Sequence, residues 1–148
     1  MTTCGLVLAA LIVCGWVVVA QEQQPDVAAL KTTLKQMADA VKRGDTEALV
    51  DFVGESILVV EGVGGNADLL TKAQMLDTLG NLKDLQVDAE KADVLLMGKA
   101  ASVRGDVALT FQTEKVIGKG DLLFVQQGGK WILQAAAVGP TEQPKAGG

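Results

Sequence analysis

The stretch Val103-Arg-Gly-Asp-Val-Ala-Leu-Thr-Phe-Gln112 sets Val103, Val107, Leu109 and Phe111 on one parity and Arg104, Asp106, Thr110 and Gln112 on the other. Successive side chains of a strand point to opposite faces, so this pattern predicts an antiparallel strand with one apolar and one solvated face. Upstream, the alternation changes parity between Val87 or Ala89 and Val94 or Leu96, which predicts a bulge near Glu90 to Ala92 and a bent sheet. Downstream, Asp121 to Val125 and Lys130 to Val138 form a hairpin through Gln126-Gln-Gly-Gly129, whose glycines accept positive φ.

The N-terminal half follows a helical period instead. Val27, Leu30, Leu34, Met37 and Val41 recur at helix spacing behind Asp26, a candidate cap, and the run ends at Lys42-Arg-Gly44. Asp45 then caps a second helix, Thr46 to Val53, stopped by Gly54; Ile57 to Val60 reads as a strand leading to Glu61. Gly62-Val-Gly-Gly-Asn66 is a loop by composition, and Thr71 with Gln74 is a capping box opening a third helix, Lys72 to Leu79, closed by Gly80. Helix, helix, strand, helix and then four antiparallel strands describes an α+β domain, a curved and mainly antiparallel sheet wrapped around N-terminal helices. Such a sheet forms a cone, whose open end is a place for a ligand.

The 148 residues carry a net charge of -5, enough chain for one domain. Residues 1–20 carry no charge and are apolar from Gly5, with Val18 and Ala20 as the small residues of a cleavage site. They are expected to be a signal peptide, making the protein secreted or periplasmic, with a membrane anchor over residues 5–20 or a lipid-modified Cys14 as alternatives. A linker over residues 21–25, the domain over 26–138 and a disordered tail over 139–148 complete the expected organisation. The chain has no histidine and no tyrosine, and its two cysteines, Cys4 and Cys14, fall in the leader. That removes histidine-based nucleophile systems, histidine metal sites and a tyrosine acid. The acidic balance speaks against nucleic acid as a partner. No cofactor or metal is expected.

The segments Arg43-Gly-Asp-Thr-Glu-Ala-Leu-Val-Asp-Phe52, Ile57-Leu-Val-Val-Glu61 and Gly129-Lys-Trp-Ile-Leu133, in this order and spacing, resemble the nuclear transport factor 2-like superfamily, which includes SnoaL-like polyketide cyclases and ketosteroid isomerases. The resemblance spans roughly Val27 to Val138. It implies the cone-shaped fold, with a general-base position at Glu61, a second carboxylic acid at Asp121 and, in place of the tyrosine of the isomerases, Met37. Two carboxylates converging in an apolar cavity do not both ionise cheaply, so one stays protonated as a donor while the other serves as base. Here Glu61 is longer than the usual aspartate, Gly62 replaces a common proline, and Met37 donates no hydrogen bond.

Three readings follow. In the first, the domain is an exported module binding a small apolar molecule in a cavity lined by Met37, Phe52, Val59, Val107, Leu109 and Phe111. In the second, it is an isomerase-like or dehydratase-like enzyme using Glu61 and Asp121 for proton transfer. In the third, it pairs as a homodimer through the outer face of the sheet, because Leu122 to Val125 and Trp131 to Ala137 are apolar on both parities. The poor catalytic inventory favours the first. Other features have plainer explanations. Arg-Gly-Asp at 43–45 is a helix stop followed by a cap, and at 104–106 it sits within a strand, so neither is expected to be an adhesion motif. Asp88, Glu90 and Asp93 serve solubility rather than a cation, and Trp131 is a packing residue.

Overall fold

The computed structural model describes residues 27–61 and 66–140, with Glu61 and Pro140 described by their backbone alone. The expected leader, the linker, the Asp26 cap, most of the Gly62 to Asn66 loop and residues 141–148 of the tail lie outside the described residues.

Helix α1, Val27–Arg43, buries Leu30, Thr33, Leu34, Met37, Ala40 and Val41 along one stripe. Its end is set by Gly44 at φ +68°, from which the Gly44 amide donates to the Val41 carbonyl at 3.0 Å and the Asp45 amide to that of Ala40 at 2.9 Å. This paired closure needs a left-handed residue at Gly44, which only glycine adopts without a Cβ penalty. The Asp45 carboxylate then accepts from the Ala48 amide at 3.1 Å, opening α2, Thr46–Leu49. The first Arg-Gly-Asp is thus a stop and a start in succession. Helix α2 is shorter than its composition suggests: Val50–Phe52 tightens to a 3-10 turn, and Gly54 lies within strand β1, Val53–Glu61.

Strand β2, Ala67–Thr71, pairs antiparallel with β1 and leads into α3, Lys72–Gly80. At the start of α3 the Gln74 amide donates to Thr71 Oγ1 at 3.3 Å and the Thr71 amide to Gln74 Oε1 at 2.9 Å, which is the reciprocal capping box. The remaining strands are β3, Leu82–Val87; β4, Asp93–Met97; β5, Ala100–Phe111; β6, Glu114–Gln127; and β7, Lys130–Pro140. They join β1 and β2 in one seven-stranded sheet of order β2-β1-β7-β6-β5-β3, with β4 also on β5. Every pairing is antiparallel except β1 with β7. The fold is the expected α+β cone, with α1 against β3 and α3 against β1 on the concave side.

Three details differ from the sequence reading. The parity change between Val87 and Val94 is not a bulge in one strand. It is a break, with β3 paired to Val107–Phe111 and β4 to Ala100–Arg104 of the same partner. Ala89 and Ala92 of the intervening turn are buried, and a Cβ built on Gly105 would lie 3.4 Å from that of Ala92, so the turn tucks beneath a strand that has no side chain there. Lys31 Nζ donates to the Glu90 carbonyl at 3.0 Å and Lys35 pairs with the Glu90 carboxylate, tying the turn to α1. Strand β6 begins seven residues earlier than the expected Asp121, and β7 runs two residues past Val138, into the expected tail.

The core joins Leu30, Leu34 and Val41 of α1 to Ile57, Val103, Phe124 and Leu133 of the sheet. Trp131 is buried there as a packing residue, its indole Nε1 without a hydrogen-bond partner among the described residues.

Candidate functional site

Paired residues of adjacent strands share a face, so the register separates the two sides of the sheet. On the concave side lie Val103, Val107 and Leu109 of β5, Leu122 and Phe124 of β6, and Leu133 and Ala136 of β7. Gly118 and Gly120 of β6 belong to the same side, and both are buried. Between this surface and the helices is a cavity of about 450 Å³. Leu34 and Met37 of α1, Met75, Thr78 and Leu79 of α3, and Leu82, Leu85 and Val87 of β3 close it. Leu34, Met37 and Leu133 are almost inaccessible, whereas Phe111 and Val116 at the far end of the β5–β6 hairpin are 37% and 36% exposed. The cavity therefore opens toward the hairpin tip.

Of the residues proposed from sequence, Met37, Val59, Val107, Leu109 and Phe111 line this cavity together. Phe52 does not: it sits in the 3-10 turn and packs, half-buried, on the core from outside the cavity. Sequence reading overlooked the whole α3 contribution. Its signal is the spacing of Met75, Thr78 and Leu79, one helical face opposite the sheet.

The two carboxylate positions are not brought together on described side chains. Glu61 ends β1, its backbone in register with Val138 of β7. Asp121 is on β6 between Gly120 and Leu122, which both belong to the concave side, and it faces the opposite, convex surface. There it is 45% exposed and accepts from Arg104 Nε at 2.6 Å and from a second guanidinium nitrogen at 3.3 Å. That hydrogen bond, reinforced by charge, pushes the guanidinium pKa further up. Asp121 is thus paired with Arg104 on the outer face and does not line the cavity.

Thr78 is the single polar side chain on the cavity wall among the described residues. Its hydroxyl donates to the Gln74 carbonyl at 2.9 Å, one turn back. The other groups that the sequence raised are engaged at the surface: Asp88 with Lys91 at 3.0 Å, Glu90 with Lys35, and Asp106 with Lys119. Among the described residues no group of three or more acidic, histidine or cysteine side chains is placed to hold a metal ion, and no helix is long and apolar enough to cross a membrane.

No protein-family model and no curated protein sequence matches the chain. Solved structures do. The chain is similar to a nuclear transport factor 2-like protein from Cytophaga hutchinsonii, with 13% identity over 76% of this chain and 96% of that one at a TM-score of 0.64. A candidate dehydratase of the nuclear transport factor 2-like family from Streptomyces avermitilis matches with 15% identity over 80% and 97% of the two chains at a TM-score of 0.62. A nuclear transport factor 2-like protein of unknown function from Silicibacter pomeroyi matches with 16% identity over 76% and 92% at 0.57. At such identities the likeness establishes the fold, which is nuclear transport factor 2-like.

Proposed function

We propose that this nuclear transport factor 2-like domain binds a small apolar molecule between its helices and the concave face of its sheet. The observation that carries the reading is the cavity of about 450 Å³, within the range of small-molecule sites and walled, among the described residues, by apolar side chains with the one exception of Thr78. Proton-transfer catalysis has less support. It needs a base and an acid reaching one substrate, yet Asp121 is ion-paired on the other side of the sheet and Met37 has no proton to give. Glu61 is left as the one candidate of the set. Export through residues 1–20 belongs to the same proposal, supported by their uncharged apolar run; N-terminal sequencing of the protein recovered outside the cytoplasm should begin at Gln21.

The binding reading is tested by native mass spectrometry of the purified protein and by thermal shift against a panel of apolar compounds. A ligand at about a hundred times its Kd stabilises the folded state by about 2.7 kcal/mol. Ala136→Phe, which extends a ring from β7 into the cavity, should abolish the shift while the protein remains folded by circular dichroism. A panel without a single shift, or shifts that persist in Ala136→Phe, would sink the reading.

A second reading is favoured by the convex face. Leu69, Leu58, Ala135, Leu123, Ser102 and Leu95 stand in register across six strands, and Leu69 and Leu95 at its ends are 70% and 63% exposed. A row of that length, apolar except at Ser102, suits a second copy of the chain. Light scattering should report a dimer that Leu123→Lys dissociates; a wild-type monomer at high concentration would remove this reading.

A further inference from the structure

We infer that the cavity selects uncharged molecules carrying one hydrogen-bond donor, an apolar alcohol being the simplest, and that Thr78 is the residue that receives the donor. The inference rests on the binding reading above and names the chemical class of its ligand.

The cavity wall fixes the charge. No Lys, Arg, Asp or Glu lines it among the described residues. An ion taken from water into such a site has no partner, and burying an unpaired charge costs several kcal/mol. Of the cations on the neighbouring elements, Lys35 pairs at the surface with Glu90, Lys72 with Glu55 and Arg104 with Asp121. A carboxylate or phosphate in the cavity would have no counter-charge drawn from these. At roughly 30 Å³ for a water-sized group, the cavity of about 450 Å³ has space for on the order of 15 such groups, the size of a medium-chain or two-ring molecule.

Thr78 fixes the polar handle. A hydroxyl has one proton and two lone pairs. Here the proton is given to the Gln74 carbonyl at 2.9 Å, within a helix whose first turn is locked by the Thr71 and Gln74 capping box. What remains for a ligand is an acceptor. The backbone groups of β6 and β7 are already used in strand ladders on both sides. Met37 and Met75 add thioether sulfurs, which accept weakly and pack well against irregular apolar shapes. A ligand with a donor is matched at Thr78, whereas one offering only acceptors is not.

The test is calorimetric titration of the full chain with three probes of matched length: decanol, its isomer methyl nonyl ether and decanoate at neutral pH. Decanol should bind about three- to tenfold tighter than the ether, the range of one net hydrogen bond, and at least about tenfold tighter than decanoate. Thr78→Val should erase the difference between alcohol and ether with the ether affinity unchanged, and Thr78→Ser should keep it. Glu61→Gln should leave the discrimination against decanoate in place, because the apolar wall sets it. Decanoate binding as tightly as decanol, or discrimination lost in Glu61→Gln, would overturn the charge selection. An alcohol no tighter than the ether in the wild type, or a difference surviving in Thr78→Val, would overturn the role of Thr78. Absence of binding by all three would instead defeat the binding reading on which the inference stands.

Discussion

Arg104 and Asp121 face each other across β5 and β6 on the convex side of the sheet, Nε to Oδ1 at 2.6 Å, while the residues that follow and precede them, Leu122 and Val103, face each other on the concave side. One peptide step therefore separates the surface from the cavity. Because both partners are largely exposed, the pair contributes little to stability. Asp121→Asn is expected to leave the urea midpoint nearly unchanged, and to leave the affinity for any apolar ligand unchanged. Loss of ligand affinity in a folded Asp121→Asn protein would show that the carboxylate reaches the cavity after all.

Gly120 lies on the concave side, where a Cβ would come within 2.5 Å of Val107 Cγ2. That is closer than real atoms approach, so one of the two must move. Gly120→Ala is expected to destabilise by about 1–3 kcal/mol through overpacking. Val107→Ala removes the opposing methyls and should recover part of the loss in the double variant, a coupling that chemical denaturation of all four proteins measures. Strict additivity would place the cost in the backbone of β6 rather than in this contact.

The local signals were the readable ones. Gly44-Asp45 and Thr71 with Gln74 describe helix ends whose hydrogen bonds close within a few residues, and each forms as the sequence implies. The strand β2 left no signal because it is an edge strand, exposed at four of its five residues, and so has no buried face to impose alternation. The face of Asp121 was illegible for the opposite reason. Leu122-Leu-Phe-Val125 is apolar on both parities, so alternation alone does not decide which residues look inward. The family resemblance named the residue without its orientation, and only the pairing of Ala101 with Phe124 and Val103 with Leu122 settles it. The cavity was half legible: the alternation of β5 gave Val107, Leu109 and Phe111, whereas Thr78 and Met75 depend on how α3 is turned against the sheet.

The capping box at α3 gives a prediction that also concerns the site, since this helix carries Met75, Thr78 and Leu79. Thr71→Ala leaves the Gln74 amide without its acceptor and should cost about 1 kcal/mol. Thr71→Ser and Thr71→Asp should retain most of it. Amide hydrogen exchange in the first turn of α3 should accelerate in Thr71→Ala with little change in α1. Uniform acceleration across both helices would mean that the cap acts on global stability alone.

The turn between β3 and β4 supplies an acid-sensitive latch. Hydrogen bonding to Lys91 lowers the pKa of Asp88, and hydrogen bonding to Lys35, reinforced by its charge, lowers that of Glu90. Both carboxyls thus lose their protons more readily in the folded chain than in the unfolded one. Their contribution is fully present above their ordinary values of 3.8 and 4.5, and declines as the pH falls through those and on to the lower folded values. Both groups are at the surface, so the contribution is small and salt-screened. Its consequence is local, because Lys35 and Lys31 hold Glu90 against α1 while Ala89 and Ala92 fill the space beneath Gly105. Acidification from pH 7 to about pH 3 should lower the protection factors of the Lys91 and Ala92 amides, each rate being referred to its intrinsic value at that pH, before it lowers those in β5, and Glu90→Gln should reproduce part of that opening at neutral pH. An equal pH response in wild type and Glu90→Gln, measured on those amides, would remove Glu90 from the latch and leave Asp88 with Lys91 as its acid-sensitive pair.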